Sequence, residues 1–281
     1  MAYDHSDKIG NQGDLVKHYA LYLCLKTLLE KHPSDKPFVY AESHAGRAEY
    51  VLPKGGGWKN GIGAFSKFVR TGPAGAASGT LGEFDEIFIG RKLKTGMKYL
   101  GTTGIAFRLL RGGAKPLRQH GQPFIMKLWE QSLPAVEDLT RYYHPWMQPH
   151  LGSNPLPTQL VEINHGDGFA GVQNAGKLNF VLIDPPSIDD AGKVLALIDY
   201  LQKNDTPYLC WMTRTSHQGK DSIKSEKFRC RAESNGSVCH GIQWPPSTAT
   251  FFGCWLAGSQ NLDGAMKKAC GEIRGLMTWA S

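Results

Sequence analysis

One short stretch of the sequence places an acidic residue and two prolines directly after an apolar run. Val181 to Ile183 predict a buried strand, and Asp184, Pro185 and Pro186 follow it. Since proline fixes φ and has no N–H, this turn is stiff and presents hydrogen-bond acceptors without competing donors. The Asp184 carboxylate and the Pro185 carbonyl could therefore both accept from one planar amine. A plain strand-ending turn with an aspartate cap fits the same residues.

The chemistry that such acceptors serve is the activation of a weak nitrogen nucleophile. The amino group of adenine is unreactive because its lone pair is delocalised into the ring, and acceptors on its protons favour the pyramidal, reactive form. Attack on a sulfonium methyl group is then mainly a matter of placement. A second proline pair, Pro245 and Pro246, has no acidic residue beside it, and we predict a loop there without a preceding strand.

The spacing of apolar residues predicts an α/β fold. A helix is predicted over 13–31, capped by Asn11 or Asp14, and a strand over 37–42. Further strands are predicted over 123–128, 159–163, 178–183, 208–213 and 251–256, and further helices over 104–110, 132–143, 167–172 and 194–201. This alternation indicates a mostly parallel sheet with helices on both faces.

The segment 55–96 differs from the rest of the chain. It contains three consecutive glycines at 55–57 and a small-residue stretch at 72–79, and it lacks apolar strand runs. Helix is expected only around 62–69 and 84–91. We therefore predict one main domain, formed by residues 1–54 and 97–281, with a partly helical inserted subdomain over 55–96.

Composition limits the class of protein. The 281 residues are 41% hydrophobic and 20% charged, they contain no apolar run of the ~20 residues that span a bilayer, and they open with polar residues rather than a signal peptide. We expect a cytoplasmic location. The net charge of +7 favours a polyanionic partner. Six cysteines without a C-x-x-C pair indicate free thiols and no zinc site.

Several blocks of the chain resemble one family, the bacterial adenine-N6 methyltransferases of the large-subunit (23S) ribosomal RNA, called the J-type family. In order, the blocks are Tyr3-Asp4-His5-Ser6, Gly10-Asn11, Asp14, Lys17-His18, Ser43-His44-Ala45-Gly46, Asp167-Gly168-Phe169 and Asp184-Pro185-Pro186. The resemblance covers most of the chain and is weakest in the predicted insertion and over 214–243.

The resemblance implies a Rossmann-like, S-adenosyl-L-methionine-dependent methyltransferase that acts on the exocyclic N6 of an adenine in 23S rRNA. It implies that Asp184 is the catalytic proton acceptor, assisted by Pro185. Tyr3, His5 and Lys17 would lie around the target base or its phosphates. The cofactor site would be lined by His18, His44, Thr102, Asp167 and Gly168, with Thr102 in place of a family serine.

Each of these residues also has a plainer interpretation. Lys17 and His18 could form the solvated face of their helix, and His44 could be a core histidine. Asp167 could simply cap the helix that begins at Gly168.

The chain departs from the family pattern at three places. Ser187 stands where the family has an aromatic that stacks on the target base, and base stacking contributes roughly 1–3 kcal/mol. The aromatics that could supply a face instead are Phe169, Trp211, Tyr3 and Trp244. Only Gly46 remains in the cofactor loop. The acidic residue that binds the cofactor ribose becomes Leu128 in a gap-free alignment, whereas Glu130, two residues later, keeps the same face of a strand.

These departures leave other functions open. The alternative is a catalytically weakened or inactive family member that binds RNA or DNA, since members of the family have been linked with bacterial use of external DNA. A DNA adenine or a protein glutamine amide is a further possible acceptor. A Rossmann dehydrogenase is disfavoured because no G-x-G-x-x-G follows the first strand. We expect ribosomal RNA as partner, DNA as the runner-up, no membrane or metal, and a monomer or weak oligomer.

Overall fold

The computed structural model describes residues 9–72, 79–89, 93–112, 123–147, 159–217, 220–243 and 251–280. The strands are β1 (Phe38–Glu42), β2 (Glu49–Val51), β3 (Lys98–Leu100), β4 (Phe124–Glu130), β5 (Gln159–His165), β6 (Phe180–Ile183), β7 (Tyr208–His217), β8 (Lys220–Asp221), β9 (Val238–Gln243) and β10 (Phe251–Gly258). The helices are α1 (Gln12–Lys31), α2 (Ile62–Thr71), α3 (Gly79–Phe88), α4 (Thr102–Leu110), α5 (Leu133–Tyr143), α6 (Gly168–Gln173), α7 (Ala191–Lys203), α8 (Ile223–Ser234) and α9 (Asp263–Ala280).

The main sheet has the strand order β5-β4-β1-β6-β7-β10-β9. Neighbours from β5 to β7 pair in parallel, whereas β10 runs antiparallel to both β7 and β9. The short strand β8 pairs with β7, and β2 and β3 form a separate antiparallel ladder. The predicted fold class, a mostly parallel sheet with helices on both faces, is confirmed.

Successive side chains along a strand point to opposite faces of the sheet, so the interior consists of two cores, one on each face. In β1, Tyr40 faces the core shared with α1, α4, α5 and α9, whereas Ala41 faces the core shared with α6, α7 and α8. The same alternation in β6 sends Leu182 to the first core and Ile183 to the second. Both faces of the central strands are thus buried, which explains their nearly continuous apolar sequences.

The predicted insertion contributes to the first core. Phe65 of α2 and Phe84 of α3 are fully buried, and their rings meet edge-on at 5.4 Å. The ring of Phe84 also lies 5.0 Å from Tyr19 of α1. Helices α2 and α3 therefore pack over α1, which explains why α1 is buried on more than one side. The boundaries of a separate subdomain at 55 and 96 stay a prediction.

The sequence did not reveal several elements. The elements that were not predicted are β2, β3, β8, β9, α8 and α9. The expectation that no strand precedes the second proline pair is wrong because β9 ends at Gln243. β9 is an edge strand in which only Ile242 is buried, so it lacks the apolar pattern that marks a strand. Pro245 and Pro246 lie outside the described residues. Among the described helices, none combines the length and apolarity that a membrane span needs.

Candidate active site

The carboxyl ends of the central strands bring several predicted residues to one edge of the sheet. β1 ends at Glu42, β4 ends at Glu130, and Asp184 follows β6 directly. By alternation, Asp184 continues the row of Leu182, on the face that carries α1. β1 lies between β4 and β6, so the chain reverses its direction of strand addition here, and α/β sheets bind ligands at such a point.

A buried ion pair joins the N-terminal helix to Asp184. Lys17 Nζ lies 2.7 Å from Asp184 Oδ2 and 3.1 Å from Asp14 Oδ1. The side chains of Lys17, Asp184 and Asp14 are 9%, 17% and 6% exposed. Lys17 is therefore not part of a solvated helix face, and it fixes the Asp184 carboxylate on the α1 side of the sheet.

The two carboxylates decide the charge of Lys17. Burial by itself lowers the pKa of this lysine, but Asp184 and Asp14 outweigh that effect and hold the pKa above its ordinary value. The ammonium group therefore stays charged through the physiological range, beside two carboxylates that are largely shielded from water.

The residues that precede Lys17 hold it in place. Gly10 has a left-handed φ of 71°, and its N–H donates to Asp14 Oδ2 at 2.8 Å. Asn11 caps α1, because its Oδ1 accepts from the N–H of Asp14 at 3.0 Å. A side chain at Gly10 would meet Ile62 of α2 at 2.7 Å. The spacing of this N-terminal block thus has a geometric cause in the first turn of α1.

Glu42 is an acidic residue at this edge that was not among the predicted site residues. It is fully buried, its Oε2 accepts from the Tyr40 hydroxyl at 2.8 Å, and its Oε1 accepts from the Thr102 hydroxyl. Burial raises the pKa of Glu42 to about 8, although both hydrogen bonds oppose the rise. Thr102, the first residue of α4, is thereby anchored to the end of β1.

We expect Glu42 to make the folded protein less stable as the pH rises. Its ordinary pKa is 4.5 and its folded pKa is about 8, so the folded state holds the proton more tightly than the unfolded state does. This stabilisation is complete below the unfolded pKa and is lost as the pH rises through the folded pKa. Glu42→Gln cannot titrate and should lack the effect.

The measurement is urea unfolding of the wild type and Glu42→Gln between about pH 5 and about pH 8. As the pH rises, the unfolding free energy of the wild type should fall relative to that of Glu42→Gln by up to ~1.4 kcal/mol per pH unit. Parallel stability curves for the two proteins would mean that Glu42 does not titrate in this range.

His44 lies just beyond β1 and is partly exposed, so it is not a core histidine. Its ring meets Phe169 of α6 edge-on with centroids 4.8 Å apart, and its Nδ1 lies 2.9 Å from Ser43 Oγ. Burial lowers the pKa of His44, while the nearby carboxylates of Asp184 and Glu130 oppose this. A neutral imidazole at neutral pH therefore lies close to several carboxylates.

Asp167 and Gly168 bring the start of α6 against the loop after β1. Asp167 Oδ1 accepts from the N–H of Phe169 at 2.9 Å, so this aspartate does cap the helix, and its Oδ2 has no hydrogen bond to the described residues. A side chain at Gly168 would lie 1.7 Å from the Ser43 carbonyl oxygen. Only glycine permits this approach between the two backbones.

The structure separates the two candidates for the ribose-binding acid. Leu128 is fully buried in the sheet, in register with Glu42 of β1, and cannot face a ligand. Glu130 lies at the end of β4, where Oε2 accepts from the Gly46 N–H at 2.8 Å and Oε1 accepts from the Ser132 N–H at 2.7 Å. The gap-free assignment is thus excluded, and the role of Glu130 stays a prediction.

The loop after β1 contains one glycine, Gly46, and glycines at the start of α4 allow further close contacts with this loop. Gly46 has a left-handed φ of 60°, which glycine adopts at little cost. Side chains at Gly101 and Gly104, around the start of α4, would lie 2.3 Å from the Arg47 carbonyl oxygen and 2.6 Å from that of Ala48. Close backbone approach around this loop therefore depends on α4, a contribution that the loop sequence does not reveal.

The remaining predicted residues are a buried histidine of α1 and two residues outside the described part of the chain. His18 is buried, its ring meets Phe88 of α3 edge-on at 5.1 Å, and it lies 6.3 Å from the ring of Tyr99. It is therefore not on a solvated helix face. Tyr3 and His5 lie outside the residues that the structure describes.

Ser187 is bound to its own turn. Its Oγ accepts from the Asp189 N–H at 3.1 Å and so caps the short 3₁₀ turn Ile188–Asp190. The described residues thus bring Lys17 and Asp184 into direct contact, with His44, Glu130, Asp167 and Gly168 around the adjacent strand ends. Glu42 is the principal residue that was missed. An acid at the end of an apolar strand was its available signal.

Among the described residues, the strand order, the antiparallel placement of β10 and the helical layers on both faces define a Rossmann-like fold. A structure of a protein from Legionella pneumophila has the same fold, with a TM-score of 0.70, 20% identity, and coverage of 96% of this chain and 94% of that one.

Two curated relatives, from Escherichia coli and Haemophilus influenzae, are named "Ribosomal RNA large subunit methyltransferase J". The first is 42% identical over 52 residues, which is 18% of each chain, and the second is 27% identical over 198 residues, 66% of this chain and 59% of the relative. The chain thus matches about a fifth and about three fifths of their lengths. No family model matches it. These similarities confirm the resemblance to the J-type family that the motifs indicated.

Proposed function

We propose that the chain is an S-adenosyl-L-methionine-dependent methyltransferase that acts on the exocyclic N6 of an adenine in large-subunit (23S) ribosomal RNA. The observation that carries the proposal is the buried contact between Lys17 and Asp184, at the first residue of a proline-stiffened turn. The names of the two curated relatives support the same substrate.

The groups at the neighbouring strand ends suit S-adenosyl-L-methionine. Glu130 would accept hydrogen bonds from the ribose hydroxyls, since each carboxylate oxygen keeps a second lone pair besides its backbone bond. Asp167 Oδ2 would accept from the exocyclic amine of the cofactor's adenine. His18, His44, Thr102 and Gly168 are the other proposed contacts. The cofactor supplies an electrophilic methyl group.

Asp184 would orient the target amine and take up its charge. Oδ2 is held by Lys17, and no described residue bonds Oδ1, which leaves Oδ1 as an acceptor for an N–H of the base. The Pro185 carbonyl is the proposed second acceptor. Because Lys17 orients the carboxylate through Oδ2, the Asp184 side chain can stabilise the positive charge that develops on the nitrogen and accept the proton that it releases.

A cleft beside the Gly46 loop supports a polyanionic substrate. It has a volume of about 520 Å³, and Arg47, Lys98 and Arg141 are among its lining residues, together with the acidic Glu49 and Asp138. Arg47 and Arg141 both pair with Asp138, and Lys98 pairs with Glu49, so the cleft keeps one excess positive charge for contact with phosphates.

The proposal is tested in two stages. Calorimetry with S-adenosyl-L-methionine and its demethylated product should show binding to the full chain. Labelled methyl transfer should then appear in large-subunit RNA from cells that lack the modification, as N6-methyladenosine in digests, and not in small-subunit RNA. Methylation of DNA or of a protein glutamine instead would overturn the substrate assignment. Salt-dependent nucleic-acid binding without cofactor affinity would favour the inactive binding protein.

A further inference from the structure

The reaction leaves one requirement unassigned, namely a flat surface for the target base. Ser187 has no ring, and its hydroxyl is occupied by the backbone of its own turn. Phe169 of α6 is 7% exposed, its ring meets that of His44 edge-on, and the Lys193 ammonium lies over the ring. A base that approaches Asp184 therefore needs an aromatic from another element.

Trp211 of β7 is next to Asp184 in the sheet. β6 and β7 are parallel, and Ile183 is in register with Cys210, so the residues that follow each of them are neighbours. Alternation sends Cys210 into the core with α7 and α8 and Trp211 to the opposite face, which carries α1. Asp184 and Trp211 thus lie side by side at one edge and on one face.

The ring of Trp211 is held by the same helix that holds Asp184. Lys17 Nζ lies 5.4 Å from the ring centroid, over the ring, and 2.7 Å from Asp184 Oδ2. A side chain at Gly13 would meet the six-membered part of the indole at 3.0 Å, so glycine leaves the space for it. The residue is partly exposed, although its indole nitrogen is buried.

We propose that Trp211 supplies, on the ring face opposite Lys17, the surface on which the target base stacks beside Asp184, in place of the aromatic that Ser187 lacks. This inference rests on the proposed function and adds a residue that binds the substrate base. Stacking needs a flat π face and no hydrogen bond. Trp211 would therefore hold the base in place without recognising the hydrogen-bonding groups at the edge of the base. Recognition of the amine is left to Asp184 and Pro185.

The test compares Trp211→Phe and Trp211→Leu in methyl transfer to large-subunit RNA by the full chain. Since stacking is lost with the ring, Trp211→Leu should raise KM for RNA by about 10- to 100-fold, whereas Trp211→Phe should stay within a few-fold of wild type. Affinity for the demethylated cofactor should change little in either variant, whereas the melting temperature should fall more for Trp211→Leu than for Trp211→Phe because the ring packs against α1. Trp211→Met, which is flexible and has no flat face, replaces Trp211→Leu if the latter is unstable.

The matched control is Trp255→Leu. Trp255 lies in β10, in register with Met212, and its side chain is on the other face of the sheet. The guanidinium carbon of Arg214 lies 4.3 Å from the centroid of the Trp255 ring. Its loss should leave KM for RNA unchanged. Equal KM values for wild type, Trp211→Leu and Trp211→Phe would overturn the stacking role while methyl transfer itself remained. Absence of transfer by the wild type would overturn both this role and the proposed function.

Discussion

Replacing Asp184 by asparagine is expected to lower the rate of methyl transfer by about 10³-fold, the middle of the range for a positioned proton acceptor. The amide keeps the shape of the side chain but loses the negative charge that faces the developing positive charge on the nitrogen. It also loses the ionic contact with Lys17, which fixes the orientation of the group. Single-turnover methylation of large-subunit RNA measures this effect separately from product release.

The control for this prediction is Asp189→Asn, five residues further along the same loop. Asp189 is exposed, and it is bonded to Ser187 and Lys224 rather than to α1. Its replacement should leave the rate within a few-fold of wild type. Calorimetry should show that Asp184→Asn still binds the demethylated cofactor. A single-turnover rate for Asp184→Asn equal to that of Asp189→Asn would remove Asp184 from the chemistry.

Replacing Lys17 by methionine should destabilise the fold by about 3–5 kcal/mol, because the loss of one partner leaves buried charge uncompensated. Two carboxylates, Asp14 and Asp184, lose their common counter-charge at a site where all three side chains are less than one fifth exposed. Methionine has a similar length and flexibility, so lost volume contributes little. Urea unfolding, with the slope m compared between proteins, measures the change in stability.

Lys26→Met is the matched control, since it makes the same change on the same helix. Lys26 pairs with Glu83, whose side chain is 45% exposed, so water replaces the lost contact. We expect a loss below about 1 kcal/mol for this variant. Equal losses for the two variants would show that the Lys17 cluster is no more than a surface ion pair. If Lys17→Met does not fold while Lys26→Met does, the result agrees with the prediction.

The two strongest predictions concern the same cluster because one helix serves both structure and site. The first turn of α1 carries the cap at Asn11 and the carboxylate of Asp14, and one turn later it carries Lys17. The spacing of three residues between Asp14 and Lys17 places both on one side of the helix, where β6 ends. A substitution in this block is thus expected to change stability and methyl transfer together.

Local sequence predicted most of the buried strands and the first helix, but it missed α9, which has 18 residues and buries Met266 and Ile273. The spacing of apolar residues was enough to predict α1, β1 and β6. Each of these elements packs against a large core, so most of its buried positions are apolar in the sequence. Elements such as β2, with three residues, and β9, at the sheet edge, bury little and so leave a weak pattern. These strands form by pairing with other strands, β2 with β3 and β9 with β10. The residues of one segment alone do not show such pairing.

The sequence by itself determined the chemical groups that are available and the ends of the strands that present them: a carboxylate before two prolines, an aspartate before a glycine, and the order of these blocks. Only the tertiary structure decided which groups meet. Lys17 and Asp184 are 167 residues apart and lie in contact, Leu128 is in the core whereas Glu130 reaches the loop after β1, and Trp211 lies beside Asp184. The physical reason is that these contacts depend on strand register and side-chain alternation in the assembled sheet.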